Sequence, residues 1–334
     1  MHAILALNKC NGVYAQCPGL AWFHLKLFWS RIDLQTSEKC IRWRQDVGDI
    51  LKTQEKTKSS LFSTVLGAKD PETGSDISYP ELIAEAQALL VAGRSSIFSP
   101  KKQLLISYRE IAFETTATTL AATLFYLAHF PVAYSKLAHE IRSTFSDAED
   151  IISGPKLNSC RYLSACIQES LRMSPPAPGA LWREAEPGSL YVDGEYIPAG
   201  YEIGTCIYAV HHNEAYFPDS YNFLPERWLS DGPTPESRAV HSAFHAFSSG
   251  PRSCIGRSFA LTELSITLAR VMWLMDFRMC GTQMQNQGGG SPDKQAGRNM
   301  ADEYQIYSHL TSWSEGPMLE FRERKIDPAV EING

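Results

Sequence analysis

The stretch Phe247-Ser-Ser-Gly250-Pro-Arg252-Ser-Cys254-Ile-Gly256 decides the fold of this chain. Its cysteine stands between two glycines, directly before a segment with the apolar spacing of a helix. Glycine lets the backbone turn tightly and approach a bulky planar group. Backbone N–H groups in the turn and at the helix start can point at the sulfur and stabilise a thiolate. A structural thiol is the alternative, and the fixed spacing F-x-x-G-x-R-x-C-x-G argues against it.

The bulk composition indicates a soluble globular protein without a nucleic-acid-binding character. The 334 residues carry 31 basic and 37 acidic side chains, for a net charge of −6, so nothing draws the chain toward nucleic acid. The eight cysteines form no CxxC pair, which argues against a zinc ribbon and suits a reducing compartment. The longest apolar stretch, Leu120–Phe130, is too short to span a bilayer.

Apolar periodicity predicts a mainly α fold with small β-sheets (α+β). Helices are predicted over residues 81–93, 114–128, 131–145, 160–173 and 257–275. Helical spacing predicts a shared face on helix 160–173 that carries Leu163, Cys166, Ile167 and Leu171, and a buried side of helix 257–275 that carries Leu261, Leu264, Leu268, Val271, Met272 and Met275. The Asp193-Gly194 pair predicts a β-hairpin, and the strand-like alternation of residues 303–322 predicts further short strands. Residues 211–235, rich in Pro, Asn, Asp and aromatics, are predicted to form an irregular meander.

Two further motifs carry candidate functional residues. Glu169 and Arg172 are three residues apart on one predicted helix, where they can pair. Arg227, in the segment Phe223-Leu-Pro-Glu-Arg-Trp228, can complete a Glu–Arg–Arg network with bidentate geometry to Glu169. Glu114 and Thr115 form an acid–alcohol pair that could relay protons to bound dioxygen. Packing of a threonine-rich helix face is the alternative for this last pair.

These motifs, in this order, resemble the cytochrome P-450 superfamily of haem-thiolate monooxygenases over about residues 80–322. The resemblance implies the P-450 fold and haem b, held by an axial cysteine thiolate that favours O–O cleavage. By position, Cys254 resembles the proximal iron ligand, and Glu114–Thr115 resembles the catalytic pair of the oxygen-activating helix. The other matched positions are the cofactor-binding residues Arg252, Arg183, Phe247, Gly250 and Gly256, and the structural network Glu169, Arg172 and Arg227.

The resemblance also implies the reaction and its partners. It predicts an oxidoreductase that oxidises or hydroxylates a small lipophilic molecule with O2, taking electrons from an NADPH-cytochrome reductase. The segment ACIQESLRMSPPAPGALWRE (165–184) resembles the corresponding segment in the fungal branch of the family that acts in secondary metabolism. Two alternatives remain open, namely a haem-thiolate isomerase or dehydratase, and an inactive pseudoenzyme. We expect a monomer, placed by resemblance on the endoplasmic reticulum membrane, or in the cytoplasm because this chain shows no anchor.

The chain departs from the family pattern at two places. The family's N-terminal part is expected to be largely missing, with residues 1–80 as a remnant helical region and residues 81–325 as the haem-binding domain. The family joins Ala-Gly to acid-Thr through one residue, whereas here twenty residues, 94–113, separate Gly93 from Glu114. We interpret residues 94–113 as a retained intron or another gene-model artefact. A genuine insertion loop is the alternative.

The insertion hypothesis predicts a spliced message that lacks the codons for about residues 94–113. Their deletion would restore Ala-Gly-x-Glu-Thr and one continuous amphipathic helix. Sequencing of transcripts checks this expectation. Abundant message that retains those codons, together with active protein, would establish the segment as a genuine insertion.

Overall fold

The fold is described from a computed structural model of the chain. The structure describes Ser75 and residues 109–188, 190–230, 232, 234–281, 287–308 and 311–324, with only the backbone of residues 109–114. The described residues from 114 onward belong to one compact unit. The predicted helix 81–93, the predicted remnant region 1–80 apart from Ser75, and residues 94–108 of the predicted insertion lie outside the described residues.

Helices dominate the described part of the chain. They are α1 Arg109–His129, α2 Pro131–Thr144, α3 Pro155–Asn158, α4 Arg161–Met173, α5 Ile207–His211, α6 Pro235–Ala243 and α7 Arg257–Leu274. The helices predicted over 131–145, 160–173 and 257–275 are confirmed to within one residue at each end. Helix α1 includes residues 109–113, which the sequence assigned to the insertion. Helix α6 was not predicted, although Thr234 is its N-cap and accepts a hydrogen bond from the Ser237 N–H at 3.1 Å.

The strands form small antiparallel sheets of two strands each. The pairs are β1 Arg183–Glu184 with β4 Glu202–Ile203, β2 Leu190–Val192 with β3 Glu195–Ile197, β5 Met275–Met279 with β8 Leu319–Glu323, and β6 Tyr307–Ser308 with β7 Ser312–Trp313. The predicted Asp-Gly hairpin is confirmed as the β2–β3 turn. Asp193 has φ 49° and Gly194 has φ 87°, as a tight two-residue hairpin turn requires.

Strand β5 corrects one prediction about the end of helix α7. Met275 was predicted to line the buried side of this helix, but it is the first residue of β5 and 38% exposed. Its backbone is extended, with φ −131° and ψ 152°, so the helical spacing no longer applies there. Leu264, Leu268 and Met272 do lie on the buried side, as predicted.

The main core lies between helices α1, α2, α4 and α7. The four residues predicted to share the buried face of α4 are all buried, namely Leu163, Cys166, Ile167 and Leu171. Tyr126 of α1 stacks on Phe223 with ring centroids 4.9 Å apart and planes 8° apart. This contact joins the meander to the core. None of the helices in the described residues is long and apolar enough to cross a membrane.

Truncating a core side chain of α7 should destabilise the fold far more than truncating an exposed one. Leu268 is fully buried, whereas Leu274 on the same helix is 42% exposed. We expect Leu268→Ala to lower the free energy of unfolding by about 2–5 kcal/mol. Leu274→Ala should lower it by less than about 1 kcal/mol. Urea unfolding followed by circular dichroism measures both, and equal effects would contradict this packing.

Candidate functional site

A buried ion pair lies on one face of helix α4. The Arg172 Nε donates to Glu169 Oε2 at 3.0 Å, and its Nη2 donates to Glu169 Oε1 at 2.9 Å. Both side chains are 0% exposed. The helix places them three residues apart, where side chains on one face meet. The result is a bidentate pair, the geometry in which arginine and carboxylate bind best.

Arg227 joins this pair through a single hydrogen bond. It belongs to the 3₁₀ turn Pro225–Trp228, and its Nε donates to Glu169 Oε1 at 3.0 Å. The prediction that Arg227 binds Glu169 in a bidentate manner was wrong. Its Nη1 and Nη2 donate instead to the carbonyls of Pro218 at 3.0 Å and Asp219 at 3.4 Å. The guanidinium therefore bridges the carboxylate and the meander backbone.

Glu169 has two further donors that the sequence reasoning missed. The indole Nε1 of Trp228 donates to Oε2 at 2.8 Å, and the Leu224 N–H donates to Oε1 at 3.1 Å. The contact of Trp228 with Glu169 could have been inferred from the sequence. A buried indole N–H needs an acceptor, and the neighbouring Arg227 was already assigned to Glu169. The carboxylate thus accepts five hydrogen bonds from α4 and the segment 224–228.

The remaining N–H groups of Arg172 bind backbone carbonyls of the chain that follows. Nη1 donates to the carbonyls of His211 at 2.8 Å and Ser220 at 2.7 Å, and Nη2 donates to that of Asn222 at 3.3 Å. With the two bonds to Glu169, all five guanidinium N–H groups have acceptors. Helix α4 therefore holds the end of α5 and the meander through one side chain.

The loop that carries Cys254 is closed by its own backbone hydrogen bonds. The Cys254 N–H donates to the Phe247 carbonyl at 2.8 Å, and the Ser253 N–H donates to the Gly250 carbonyl at 3.0 Å. Ser248 and Gly250 have φ values of 60° and 68°. Such positive values are easily reached by glycine and strained for serine. Three of the predicted site residues, Phe247, Gly250 and Cys254, thus shape one turn.

The surroundings of the Cys254 sulfur fit a haem bound through a thiolate. Cys254 is exposed and lies three residues before the first residue of α7, so helix N–H groups face its side of the loop. A Cβ added at Gly256 would lie 3.8 Å from the sulfur, at ordinary van der Waals distance, so the glycine leaves that space beside the sulfur unfilled. Ile255 is 81% exposed and Phe259 is 49% exposed. A soft sulfur donor beside exposed apolar side chains suits iron in a flat apolar macrocycle.

The other predicted site residues lie on three different elements. Arg252 is exposed at the end of the 3₁₀ turn Gly250–Arg252, and Arg183 is exposed on β1 with its Nη1 on the Trp182 carbonyl at 2.8 Å. Thr115 is half-buried on α1, and its carbonyl accepts from Thr119 Oγ1 at 2.8 Å. The Glu114 side chain lies outside the described residues. Side-chain hydrogen bonds join Glu169, Arg172 and Arg227 into one cluster.

Comparison with known proteins identifies the family. A family model described as Cytochrome P450 matches residues 112–291, which is more than half of the chain. The chain belongs to the cytochrome P450 family. The resemblance that the Cys254 loop and the Glu169 motif predicted is therefore confirmed. The family implies the P450 fold and a haem-thiolate cofactor, and the helix-rich architecture with small sheets agrees with that fold.

Curated fungal P450 proteins align with most of this chain. A cytochrome P450 monooxygenase from Gibberella zeae is 41% identical over 95% of the chain and 68% of its own length. Cytochrome P450 monooxygenase apf7 from Gibberella fujikuroi is 39% identical over 86% of the chain and 51% of its own length. Cytochrome P450 monooxygenase atnE from Emericella nidulans is 40% identical over 84% and 50%. The chain thus spans two thirds of the first relative and about half of the other two.

Removal of Arg172 should destabilise this P450 strongly. Arg172→Met keeps an unbranched side chain of similar length but leaves the Glu169 carboxylate buried with three of its five donors. We expect the free energy of unfolding to fall by about 3–5 kcal/mol, the usual cost of breaking a buried ion pair. Urea unfolding followed by tryptophan fluorescence measures this loss.

The matched control is an arginine whose ion pair lies at the surface. Arg278 donates to Glu320 at 2.9 Å, and its side chain is 66% exposed. Arg278→Met should leave the unfolding midpoint unchanged, because solvent screens such pairs. If Arg278→Met lowers the free energy of unfolding as much as Arg172→Met does, burial does not determine how strongly these ion pairs stabilise the fold.

Proposed function

We propose that this P450 is a monooxygenase that oxidises a small lipophilic molecule, with Cys254 as the axial thiolate of haem b. The observation that carries the proposal is the exposed Cys254 in a hydrogen-bonded loop just before α7. The curated relatives support it, because they are named cytochrome P450 monooxygenases and are 39–41% identical. Their fungal origin agrees with the proposed place in secondary-metabolite biosynthesis.

In this proposal the residues of the Cys254 loop hold and orient the cofactor. Cys254 is the ligand, Gly256 keeps the space beside the sulfur clear, and the half-buried Phe247 ring shields the loop from inside. The Arg257 guanidinium stands 5.6 Å from the centroid of that ring, which adds a cation–π contact. The exposed Ile255 and Phe259 side chains supply apolar contact area at the mouth of the loop.

Charged and hydroxyl groups have the remaining roles. Arg183 and Arg252 are both exposed and would bind the carboxylates of the haem propionates. Thr115 would hold the proton-relay position with its hydroxyl, while its carbonyl is held by Thr119. Glu114, the adjacent residue, would exchange that proton with solvent.

When bound, haem would supply the dioxygen chemistry that places one oxygen atom in a C–H bond of the substrate and releases the other as water. We propose that an NADPH-cytochrome reductase delivers the two electrons singly. The proposed place of work is the endoplasmic reticulum membrane, following the family's common association with membranes.

The sequence before Glu114 favours a second candidate function. Twenty residues separate Gly93 from Glu114, where the family has one. If that segment displaces the acid–alcohol pair, the thiolate haem could still rearrange or dehydrate a substrate without activating oxygen. An isomerase or dehydratase is therefore the alternative, and an inactive chain is the third outcome.

The test is the carbon monoxide difference spectrum of the reduced protein, expressed with haem. We expect a Soret band at the thiolate position for the parent chain and for Cys206→Ser, which changes another exposed cysteine. Cys254→Ser should lose that band, because a hydroxyl is a poor axial ligand for haem iron. Loss in both variants, or in neither, would contradict the assignment of Cys254.

Turnover separates the candidate functions. NADPH- and reductase-dependent oxygen consumption with product formation supports the monooxygenase. A thiolate Soret band without oxygen consumption supports the isomerase or dehydratase. Absence of haem uptake by the parent chain would overturn both.

A further inference from the structure

The side chain of His211 connects the buried ion pair to the loop that carries Cys254. It closes helix α5, is 0% exposed, and belongs to none of the sequence motifs of the site. We propose that His211 is a positioning residue that sets the Cys254 loop relative to helix α4. This inference rests on the proposed function, since it assigns a purpose to the position of Cys254.

Both ring nitrogens of His211 bind backbone groups, and these contacts determine its tautomer. Nδ1 lies 3.0 Å from the Arg172 carbonyl, which can only accept, so Nδ1 carries the hydrogen. Nε2 lies 2.9 Å from the backbone nitrogen of His245, which donates, so Nε2 must be unprotonated. A single neutral tautomer satisfies both contacts.

The surroundings of His211 keep the ring in that neutral state. Burial lowers the pKa of His211 to about 3, although the bond to the Arg172 carbonyl opposes the shift. The ring stacks on Phe244 at 5.4 Å between centroids and 13° between planes. Phe217 lies edge-on at 5.9 Å. A charged ring would point a second N–H at the His245 N–H, so neutrality is needed for the contact with the loop.

Hydrogen bonds, together with the short backbone segments between them, connect the ion pair to the cysteine. Arg172 donates to the His211 carbonyl at 2.8 Å and accepts from the His211 ring through its own carbonyl. The His211 ring then accepts from the His245 N–H. The His245 carbonyl accepts from Ser248 at 2.8 Å, and Phe247 accepts from Cys254 at 2.8 Å. A shift of His245 would therefore move the turn that presents the sulfur.

Two amide variants each keep one of the two hydrogen bonds of the His211 ring and lose the other. In His211→Gln the side-chain oxygen reaches the Nε2 position and can accept from the His245 N–H, while the bond to the Arg172 carbonyl is lost. In His211→Asn the side-chain NH2 occupies the Nδ1 position and can donate to the Arg172 carbonyl, while the bond to His245 is lost. A residue that merely fills space would tolerate both changes equally.

Hydrogen–deuterium exchange of the peptide 244–254, measured without haem, tests the role directly. In His211→Asn we expect exchange of this peptide to be about tenfold faster than in the parent, the effect of one lost hydrogen bond. In His211→Gln it should stay near the parent rate. Peptides of α2 serve as the internal reference, so that general unfolding is not mistaken for a local effect.

The matched control is the neighbouring histidine. His212 is also nearly buried, but its Nδ1 binds the Tyr208 carbonyl at 2.9 Å and its ring stacks on Tyr208. His212→Asn should leave exchange of the 244–254 peptide at the parent rate. Equal exchange of this peptide in the two His211 variants, or faster exchange in His212→Asn as well, would overturn the proposal.

The haem spectrum gives a second measurement. Among haem-loaded variants, His211→Asn should lose a larger share of the thiolate Soret band than His211→Gln. If His211→Asn does not fold, His211→Gln decides: parent-like protection of the loop supports the proposal, and lost protection overturns it. If the parent chain lacks the thiolate band, the proposed function is wrong. The exchange comparison still tests the His211 contact in that case.

Discussion

The ion pair between Glu169 and Arg172 is the interaction on which the other parts of the described structure depend. Both charges are fully buried, and removing two ions from water costs several kcal/mol for each. That cost is offset only where every donor and acceptor is satisfied, and here the carboxylate accepts five hydrogen bonds and the guanidinium donates five. The same requirement makes the pair an organiser, because its partners come from α5 and from two parts of the meander, residues 220–222 and 224–228. Displacing any of those segments would leave a buried N–H group of Arg172 or an oxygen of Glu169 without its hydrogen-bond partner.

The meander illustrates what this arrangement achieves. Residues 212–224 contain no regular helix or strand, so their carbonyls have no ladder partners of their own. Arginine N–H groups take the place of such partners at four of them, in Pro218, Asp219, Ser220 and Asn222. On the other side Phe223 stacks on Tyr126 of the core. An irregular segment thus acquires a defined position from charge-assisted hydrogen bonds and aromatic contacts, without regular secondary structure.

Much of this could be predicted from the sequence, where the signal is local. Helical spacing identified the buried face of α4 through Leu163 and Ile167, and Asp193-Gly194 identified the hairpin turn. Motif spacing identified Glu169, Arg172 and Cys254 as candidate functional residues, and these motifs led to the family. The geometry of Arg227 could not be predicted, because the carbonyls that compete for its Nη atoms are positioned by the fold. The contact between His211 and His245 spans 34 residues and uses a backbone donor, so no side-chain pattern marks it.

The two sides of the Cys254 loop differ in their chemistry, and the proposed role of Cys254 as a ligand accounts for the difference. Toward α4, the loop is held by backbone hydrogen bonds and by the packing of Phe244 against a neutral, buried imidazole. Toward solvent, Cys254, Ile255 and Phe259 are exposed, so this side of the loop offers apolar contact area to a partner. A sulfur that must meet a metal can form few bonds to the protein itself. In the proposed function, the position of Cys254 is therefore set through the backbone on the inner side, and the outer side is left to the cofactor.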